Sequence, residues 1–173
     1  MLLVVGGSQG SEFLNNLVLE GIKKNVIPDI NLIWLVGKNN FNKYEEYSNS
    51  SINVLSFVEN MPYLYGIADL VISRSGAMTV SELLQFEKPA IFVPFRFAAE
   101  NHQYYNAKVL EENFASIIMQ EKDITSKSLF KKINEIFTNE RIYSSMRKNI
   151  KAINKPNSLK IITDNILEHL HAN

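Results

Sequence analysis

Two glycine turns, each lying between an apolar strand and a helix, carry the residues best suited to bind a ligand. The first is Gly6-Gly-Ser-Gln-Gly10, and the second ends at Gly76, just before a helix that carries Glu82. A helix start offers free backbone N–H groups and the positive end of the helix dipole, which together favour a phosphate. Glu82 lies about one and a half turns into that helix, within reach of sugar hydroxyls. The two turns therefore predict a nucleotide-type ligand.

A third polar segment follows the apolar run Ala90–Val93 and is rich in amide side chains. Its polar residues are Glu100, Asn101, His102, Gln103 and Asn106. Amide groups both donate and accept hydrogen bonds, as sugar hydroxyls require. Taken alone, His102 is explained equally well as a capping or surface histidine, and His102 with Glu100 is too small a set for a metal site.

Other ligand and enzyme classes are disfavoured by what these turns lack. The first turn is not G-x-G-x-x-G and has no P-loop lysine, and Val36-Gly-Lys-Asn39 lacks the acidic residue of an NAD site. By itself this turn is explained equally well as a backbone turn that needs positive φ. Arg74-Ser-Gly76 lacks the G-x-S-x-G elbow of serine hydrolases. For Glu82, a solvated helix carboxylate is the alternative.

Length and composition point to one α/β domain that packs a core. The chain has 173 residues, of which 46% are hydrophobic, and Lys plus Arg equals Asp plus Glu at 18 each. This charge balance gives no reason to expect a nucleic-acid partner. The absence of cysteine excludes disulfides and thiolate catalysis, and it fits a reducing cytoplasm. No apolar run approaches the roughly 20 residues of a membrane helix.

Short apolar runs that alternate with helical patterns predict a doubly wound parallel sheet, with ligands at the carboxyl ends of its strands. The expected strands are Leu2–Val5, Leu32–Val36, Val54–Phe57, Leu70–Ser73, Ala90–Val93 and Ser116–Met119. The expected helices between them are Ser11–Lys24, Asn39–Ser48, Met61–Tyr65, Thr79–Phe86 and Asn101–Asn113.

After Glu121 the pattern becomes helical. One helix, capped by Ser126 or Ser128, is expected to reach Thr138, and further helices are expected over Glu140–Ile153 and Asn157–His169. The last of these carries an apolar stripe of Leu159, Ile162, Ile166, Leu167 and Leu170. The stripe either packs against this domain or docks onto a further domain.

Four stretches together resemble the donor-binding, C-terminal half of the MurG family of bacterial N-acetylglucosaminyltransferases. They are Val4-Val-Gly-Gly-Ser-Gln-Gly10, Ala68-Asp-Leu-Val-Ile-Ser-Arg-Ser-Gly-Ala-Met-Thr-Val-Ser-Glu82, Pro89-Ala-Ile-Phe-Val-Pro-Phe95 and Asn101-His-Gln-Tyr-Tyr-Asn-Ala107. The resemblance implies a Rossmann-like half of a two-domain GT-B glycosyltransferase, with a helical C-terminal segment. It also implies inverting transfer from UDP-N-acetylglucosamine to undecaprenyl-diphospho-muramoyl pentapeptide in peptidoglycan synthesis, with no metal ion and no cofactor.

The resemblance assigns roles to individual residues. It places the Val58 main chain on uracil, Glu82 on the ribose hydroxyls, and Ser8 in a glycine loop beside the donor. His102, where some members carry Gln, and Gln103 would contact the N-acetylglucosamine, with Asn106 nearby. Ala77, Met78 and Thr79 would face the diphosphate, Val80 and Ser81 complete that stretch, and the loop glycines are Gly6, Gly7, Gly10 and Gly76.

The resemblance also implies partners that this chain does not contain. The whole of residues 1–173 corresponds to the donor domain, and the family's N-terminal domain, absent here, carries the lipid acceptor site, the membrane-facing patch and the proposed catalytic base. We therefore expect a cytoplasmic chain with little activity alone, and a full-length protein peripheral on the cytoplasmic face of the inner membrane. The alternatives are a separate donor subunit of a two-subunit transferase, a non-catalytic UDP-sugar module, or half of a UDP-sugar epimerase.

Overall fold

A computed structural model describes residues 1–154, and its centre is a parallel sheet of six strands in the order β3-β2-β1-β4-β5-β6. The strands are β1 Leu2–Val5, β2 Leu32–Leu35, β3 Ile52–Leu55, β4 Leu70–Ser73, β5 Ala90–Phe92 and β6 Ser116–Ile118. Alternate residues of β1 enter two different cores, since Leu2 and Val4 belong to one cluster and Leu3 and Val5 to the other. The sheet is therefore covered on both faces, as parallel sheets are.

Seven α-helices connect and flank the strands within the described residues. They are α1 Glu12–Lys23, α2 Phe41–Tyr44, α3 Met61–Ile67, α4 Ala77–Gln85, α5 His102–Glu112, α6 Ser126–Thr138 and α7 Glu140–Ile153. Short 3-10 segments lie at Lys38–Asn40, Glu45–Tyr47 and Ala99–Asn101. None of the helices among residues 1–154 has both the length and the hydropathy needed to cross a membrane.

The strand order places a topological switch point at the first strand. β1 lies between β2 and β4, so the chain first builds outward through β2 and β3 and then returns to build through β4, β5 and β6. This is the order of Rossmann-type sheets, in which ligands bind beyond the carboxyl ends of the strands beside the switch. The predicted α/β Rossmann-like fold is confirmed, and it brings the loops after β1, β4, β5 and β6 to one edge.

The structure corrects several predicted element boundaries. β3 begins at Ile52, two residues before the expected start, because its exposed and buried residues alternate along an edge strand rather than forming a continuous apolar run. The helix expected over Asn39–Ser48 is broken into three short turns. They are held by the ring of Tyr44, which is fully buried with its centroid 4.9 Å from that of Trp34.

Two helix starts also differ from expectation. α4 begins at Ala77 rather than Thr79, directly after Gly76. α6 is capped by Thr125 rather than by Ser126 or Ser128, because the Thr125 and Ser128 side chains each bond the other's backbone N–H in a capping box. α7 has the bounds that were predicted. The helix expected over Asn157–His169, with its apolar stripe, lies outside the described residues.

Candidate active site at the carboxyl edge of the sheet

The loop after β1 has a backbone that only glycine accommodates at two of its positions. Gly7 and Gly10 have φ of 88° and 78°, in the left-handed region that L side chains rarely adopt. A Cβ added at Gly10 would also collide with the carbonyl oxygen of Val36, at the end of β2. Ser8 is exposed at the tip of this loop. The glycines therefore give a tight turn that approaches the β2 end closely and leaves the Ser8 hydroxyl accessible.

A buried hydrogen-bond relay anchors this loop and the start of α1 to β2. Asn15 donates from Nδ2 to the Val36 carbonyl at 3.0 Å and accepts from Trp34 Nε1 at 3.0 Å. Both Asn15 and Trp34 are buried, so each polar group depends on the other for its partner. The relay explains why a polar residue lies on the inner face of α1. It also ties α1, which follows the glycine loop, to the end of β2.

The start of α4 presents uncapped backbone N–H groups at the same edge. Gly76 is the N-cap with φ of −61° and ψ of 147°, and no side chain bonds the first turn. Ala77 and Met78 are exposed there. The φ at Gly76 is one that any residue adopts, so this second turn does not need glycine for its conformation. Free N–H groups and the positive end of the helix dipole are features that favour an anion at such a helix start.

Not every residue of the predicted α4 stretch is available to a ligand. The Val80 N–H donates to the Gly76 carbonyl at 3.0 Å, and its side chain packs against the buried cluster that contains Leu83. Ser81 is exposed. The Val80 N–H is therefore used within the helix and its side chain is partly buried, and the N–H groups without a helical partner belong to the residues before it.

Glu82 is held in place by a buried tyrosine. The Tyr65 hydroxyl on α3 donates to Glu82 Oε2 at 2.9 Å. Tyr65 is 2% exposed, whereas Glu82 is half-buried. Burial, and then the bond to Glu82, raises the pKa of Tyr65 far above its usual range, so that the phenol stays protonated and keeps donating. Glu82 Oε1 has no hydrogen-bond partner among residues 1–154, and Val58 packs against the same cluster as Tyr65.

The three predicted residues of α5 have different roles in the structure. Gln103 Oε1 accepts the Phe95 N–H at 2.9 Å, which ties α5 to the loop after β5. Asn106 Nδ2 donates to the Ser75 carbonyl at 3.0 Å, which ties α5 to the turn before α4. His102 is exposed, and its Nδ1 lies 2.9 Å from the Ala99 carbonyl. Since a carbonyl only accepts, Nδ1 is the donor in this bond.

A buried ion pair lies between these elements. Arg74, in the turn after β4, has its Nη2 2.5 Å from Glu121 Oε1, with the two side chains 13% and 9% exposed. Arg74 Nη1 also donates to the carbonyls of Val93 and Pro94, at 3.0 and 3.3 Å. Burial lowers the pKa of Arg74 while Glu121 opposes that shift, and an arginine stays charged in either case.

One cavity of about 530 Å³ brings part of the predicted set together beyond β1, β4, β5 and β6. Its lining residues are Gly6, Gly10, Ser11, Glu12, Phe13, Arg74, Phe95, Phe97, Gln103 and Glu121. Arg74 is the one cation among these lining residues. Ser8, Val58, Glu82, His102 and the α4 start lie outside the lining, so the predicted residues form a band along the sheet edge rather than one enclosed pocket.

Sequence reasoning missed Tyr65, Glu121 and the aromatic residues beside Arg74. The Arg74 guanidinium lies 5.6 Å from the Phe13 ring centroid and 5.5 Å from that of Phe95. A usable signal was present for the charges, since Arg74 and Glu121 each follow an apolar strand and so reach the same sheet edge. The Tyr65 contact had no local signal, because it joins helices whose packing the sequence pattern does not specify. Residues 1–154 contain no group of three or more His, Asp or Glu that could hold a metal.

The match to known proteins covers most of the chain. Residues 1–161 match the family described as glycosyltransferase family 28 C-terminal domain. The chain belongs to this family. The predicted resemblance to the MurG family is confirmed by curated relatives and by a solved MurG structure.

Relatives of this family 28 domain are named as N-acetylglucosamine transferases. The chain is 34% identical over 170 residues to the UDP-N-acetylglucosamine--N-acetylmuramyl-(pentapeptide) pyrophosphoryl-undecaprenol N-acetylglucosamine transferase of Finegoldia magna, covering 96% of this chain and 46% of that protein. It is 39% identical over 166 residues to the protein of the same name from a Sulfurihydrogenibium species, covering 96% and 46%. The chain thus spans about half the length of the curated relatives that it matches.

A solved relative shares both fold and sequence. The crystal structure of Acinetobacter baumannii MurG superposes with a TM-score of 0.84 at 29% identity, covering 96% of this chain and 49% of that one. This likeness supports the predicted assignment of the family 28 domain to one half of a GT-B architecture.

Proposed function

We propose that residues 1–173 form the donor-binding domain of a transferase that moves N-acetylglucosamine from UDP-N-acetylglucosamine to undecaprenyl-diphospho-muramoyl pentapeptide, making a peptidoglycan precursor. The observation that carries the proposal is the α4 start, where uncapped N–H groups precede a carboxylate, Glu82, that Tyr65 holds in place. Family membership and the names of the relatives support the choice of donor and acceptor. The acceptor site and the catalytic base would lie in an N-terminal domain.

Each part of the donor has a matching group along the sheet edge. Uracil would meet the main chain at Val58, the ribose hydroxyls would meet Glu82, and the diphosphate would face the α4 start beside Ser8. The sugar would reach Gln103 and His102 at the start of α5. The departing UDP carries negative charge, which the α4 dipole and its N–H groups stabilise without a metal ion.

Calorimetric titration of the 173-residue chain tests the donor site. We expect saturable binding of UDP-N-acetylglucosamine, weaker binding of UDP-glucose and none of NAD, with equal affinities in Mg²⁺ and in EDTA. Glu82→Ala should lower the affinities for UDP and for UDP-N-acetylglucosamine alike, by about tenfold or more, since both ligands contain the ribose. Glu135→Ala is the matched control, because Glu135 lies exposed on α6 and pairs only with Lys132 among the described residues. Absence of binding at millimolar donor would contradict the proposal.

A turnover assay tests the division of labour between domains. We expect the chain alone to transfer little or no N-acetylglucosamine to the lipid-linked acceptor. Transfer should be restored once an acceptor domain is supplied. Vigorous transfer by the chain alone would place the catalytic base within these residues and refute this part of the proposal. Peripheral association with the cytoplasmic face of the membrane is proposed for the complete protein only.

A further inference from the structure

The Arg74 side chain is the junction of four elements at the sheet edge. It leaves the turn after β4, pairs with Glu121 beyond β6, and donates to the Val93 and Pro94 carbonyls beyond β5. The Phe13 ring from α1 and the Phe95 ring each lie against its guanidinium. An arginine with its donors used in this way acts as a planar bracket between loops, which a lysine cannot reproduce.

Glu121 adds a second hold on the loop between β5 and α5. Its Oε2 accepts the Arg96 N–H at 3.3 Å, while its Oε1 faces Arg74. Gln103 accepts the neighbouring Phe95 N–H from the α5 side. Three successive attachments therefore fix this loop, and two of them pass through the ion pair.

The charge of Arg74 is balanced within the cavity wall. Arg74 and Glu121 are both mostly buried, so their mutual attraction is screened little by water. Glu12 is the other ionisable residue of the lining. The Arg74 guanidinium thus contacts one carboxylate and two carbonyls. These contacts indicate a structural role that joins loops, rather than a cation that binds a ligand.

The contacts of Arg74 connect two different parts of the proposed site. On one side Arg74 is followed by Ser75, Gly76 and the α4 start, and on the other side the held loop runs into α5 with His102 and Gln103. We propose that Glu121 is a positioning residue for the donor sugar: through Arg74 and the Arg96 N–H it sets the β5–α5 loop, and so the sugar-contacting start of α5, relative to the diphosphate-facing start of α4. This inference rests on the proposed function. In that function Glu121 does not itself contact the UDP-sugar.

The test compares the affinities of UDP and UDP-N-acetylglucosamine, because UDP lacks the sugar. In Glu121→Ala we expect the affinity for UDP-N-acetylglucosamine to fall about tenfold while that for UDP changes less than about twofold. Glu121→Gln should recover part of the loss, since the single amide oxygen of glutamine can replace Glu121 Oε2 as the acceptor of the Arg96 N–H, while the ion pair with Arg74 is lost. Arg74→Lys should shift the ratio in the same direction, and the double variant should add little to either single change. Glu135→Gln, on α6, is the control.

The outcomes separate this inference from the proposed function. If the unmodified chain binds neither ligand, the proposed function fails and this inference falls with it. If the unmodified chain binds both and the affinity ratio is unchanged in Glu121→Ala and Glu121→Gln, the inference alone is overturned. A large loss of UDP affinity in Arg74→Lys without one in Glu121→Ala would make Arg74 a phosphate ligand, which also overturns it. Melting temperatures identify any variant that fails to fold, and the isosteric Glu121→Gln carries the test in that case.

Discussion

Replacing Tyr65 with phenylalanine tests how the Glu82 carboxylate is positioned. The substitution removes a 2.9 Å hydrogen bond from a buried phenol to Glu82 Oε2 and leaves the ring in place. Hydrogen bonds to charged groups contribute about 1.5–3 kcal/mol, and water partly replaces the lost donor because Glu82 is half-exposed. We therefore expect a loss of about 1 kcal/mol in UDP binding, or about fivefold in Kd.

The control for this prediction is a second buried tyrosine on the other side of the sheet. Tyr44 is fully buried and donates to Asn16 Oδ1 at 3.3 Å, away from the proposed site. Tyr44→Phe should lower thermal stability by an amount similar to Tyr65→Phe, about 1 kcal/mol, and leave UDP affinity unchanged in calorimetry. Equal UDP affinity in Tyr65→Phe and in the unmodified chain, alongside a clear loss in Glu82→Ala, would refute the positioning argument.

The raised pKa of Tyr65 gives the same bond a signature in alkaline unfolding. The ordinary tyrosine pKa of 10.0 applies in the unfolded chain, while burial and the Glu82 bond keep the folded phenol protonated to higher pH. The unfolded state therefore loses a proton that the folded state retains, and this contribution to stability, complete below pH 10.0, declines as pH rises. Denaturant melts should show a decline of at most about 1.4 kcal/mol per pH unit from this group, absent in Tyr65→Phe.

Further predictions concern the framework below the site. Gly10→Ala should destabilise the chain by about 2 kcal/mol or more in urea melts, because the new Cβ meets the Val36 carbonyl at a positive φ. Gly66→Ala in α3 should instead stabilise by about 0.5–1 kcal/mol, since a Cβ there has open space; equal effects of the two changes would contradict the backbone argument. Asn15→Leu should cost about 1–3 kcal/mol, as it leaves the buried Trp34 Nε1–H unpartnered. A loss below about 1 kcal/mol by the same melts would mean that water reaches this N–H.

The strands were predictable because burial on both faces leaves a strong mark in the sequence. Runs such as Leu2–Val5 and Leu70–Ser73 are almost wholly apolar, and each was found with its predicted bounds. The edge strand β3 was misplaced, since alternation of Asn53 with apolar neighbours is a weaker signal than a continuous run. The broken helix after β2 depends on the burial of Tyr44 against Trp34, a tertiary contact that overrides the local helical pattern.

The candidate site was predictable where function follows from local backbone, and less so where it depends on distant partners. The glycine loop and the α4 start follow from a turn between strand and helix, so their position at the carboxyl edge could be inferred from the sequence alone. The bonds from Tyr65 to Glu82, Arg74 to Glu121 and Asn106 to Ser75 join residues 17 to 47 positions apart. No periodicity in the sequence specifies such pairs. A charged residue at the end of a buried strand nevertheless indicates that an oppositely charged partner lies at the same sheet edge.

The structure separates two α5 residues to which the resemblance gave neighbouring roles. Gln103 lines the cavity and holds the β5–α5 loop, whereas Asn106 donates to the Ser75 carbonyl before α4. Gln103→Ala should therefore lower the affinity for UDP-N-acetylglucosamine more than the affinity for UDP. Asn106→Ala should weaken UDP and UDP-N-acetylglucosamine by the same factor, about threefold to tenfold, because it releases the turn that presents the diphosphate-facing N–H groups. Calorimetry with both ligands decides between the two roles. A selective loss of the sugar nucleotide in Asn106→Ala would show that Asn106 contacts the sugar directly, and that its bond to Ser75 is broken when the donor is bound.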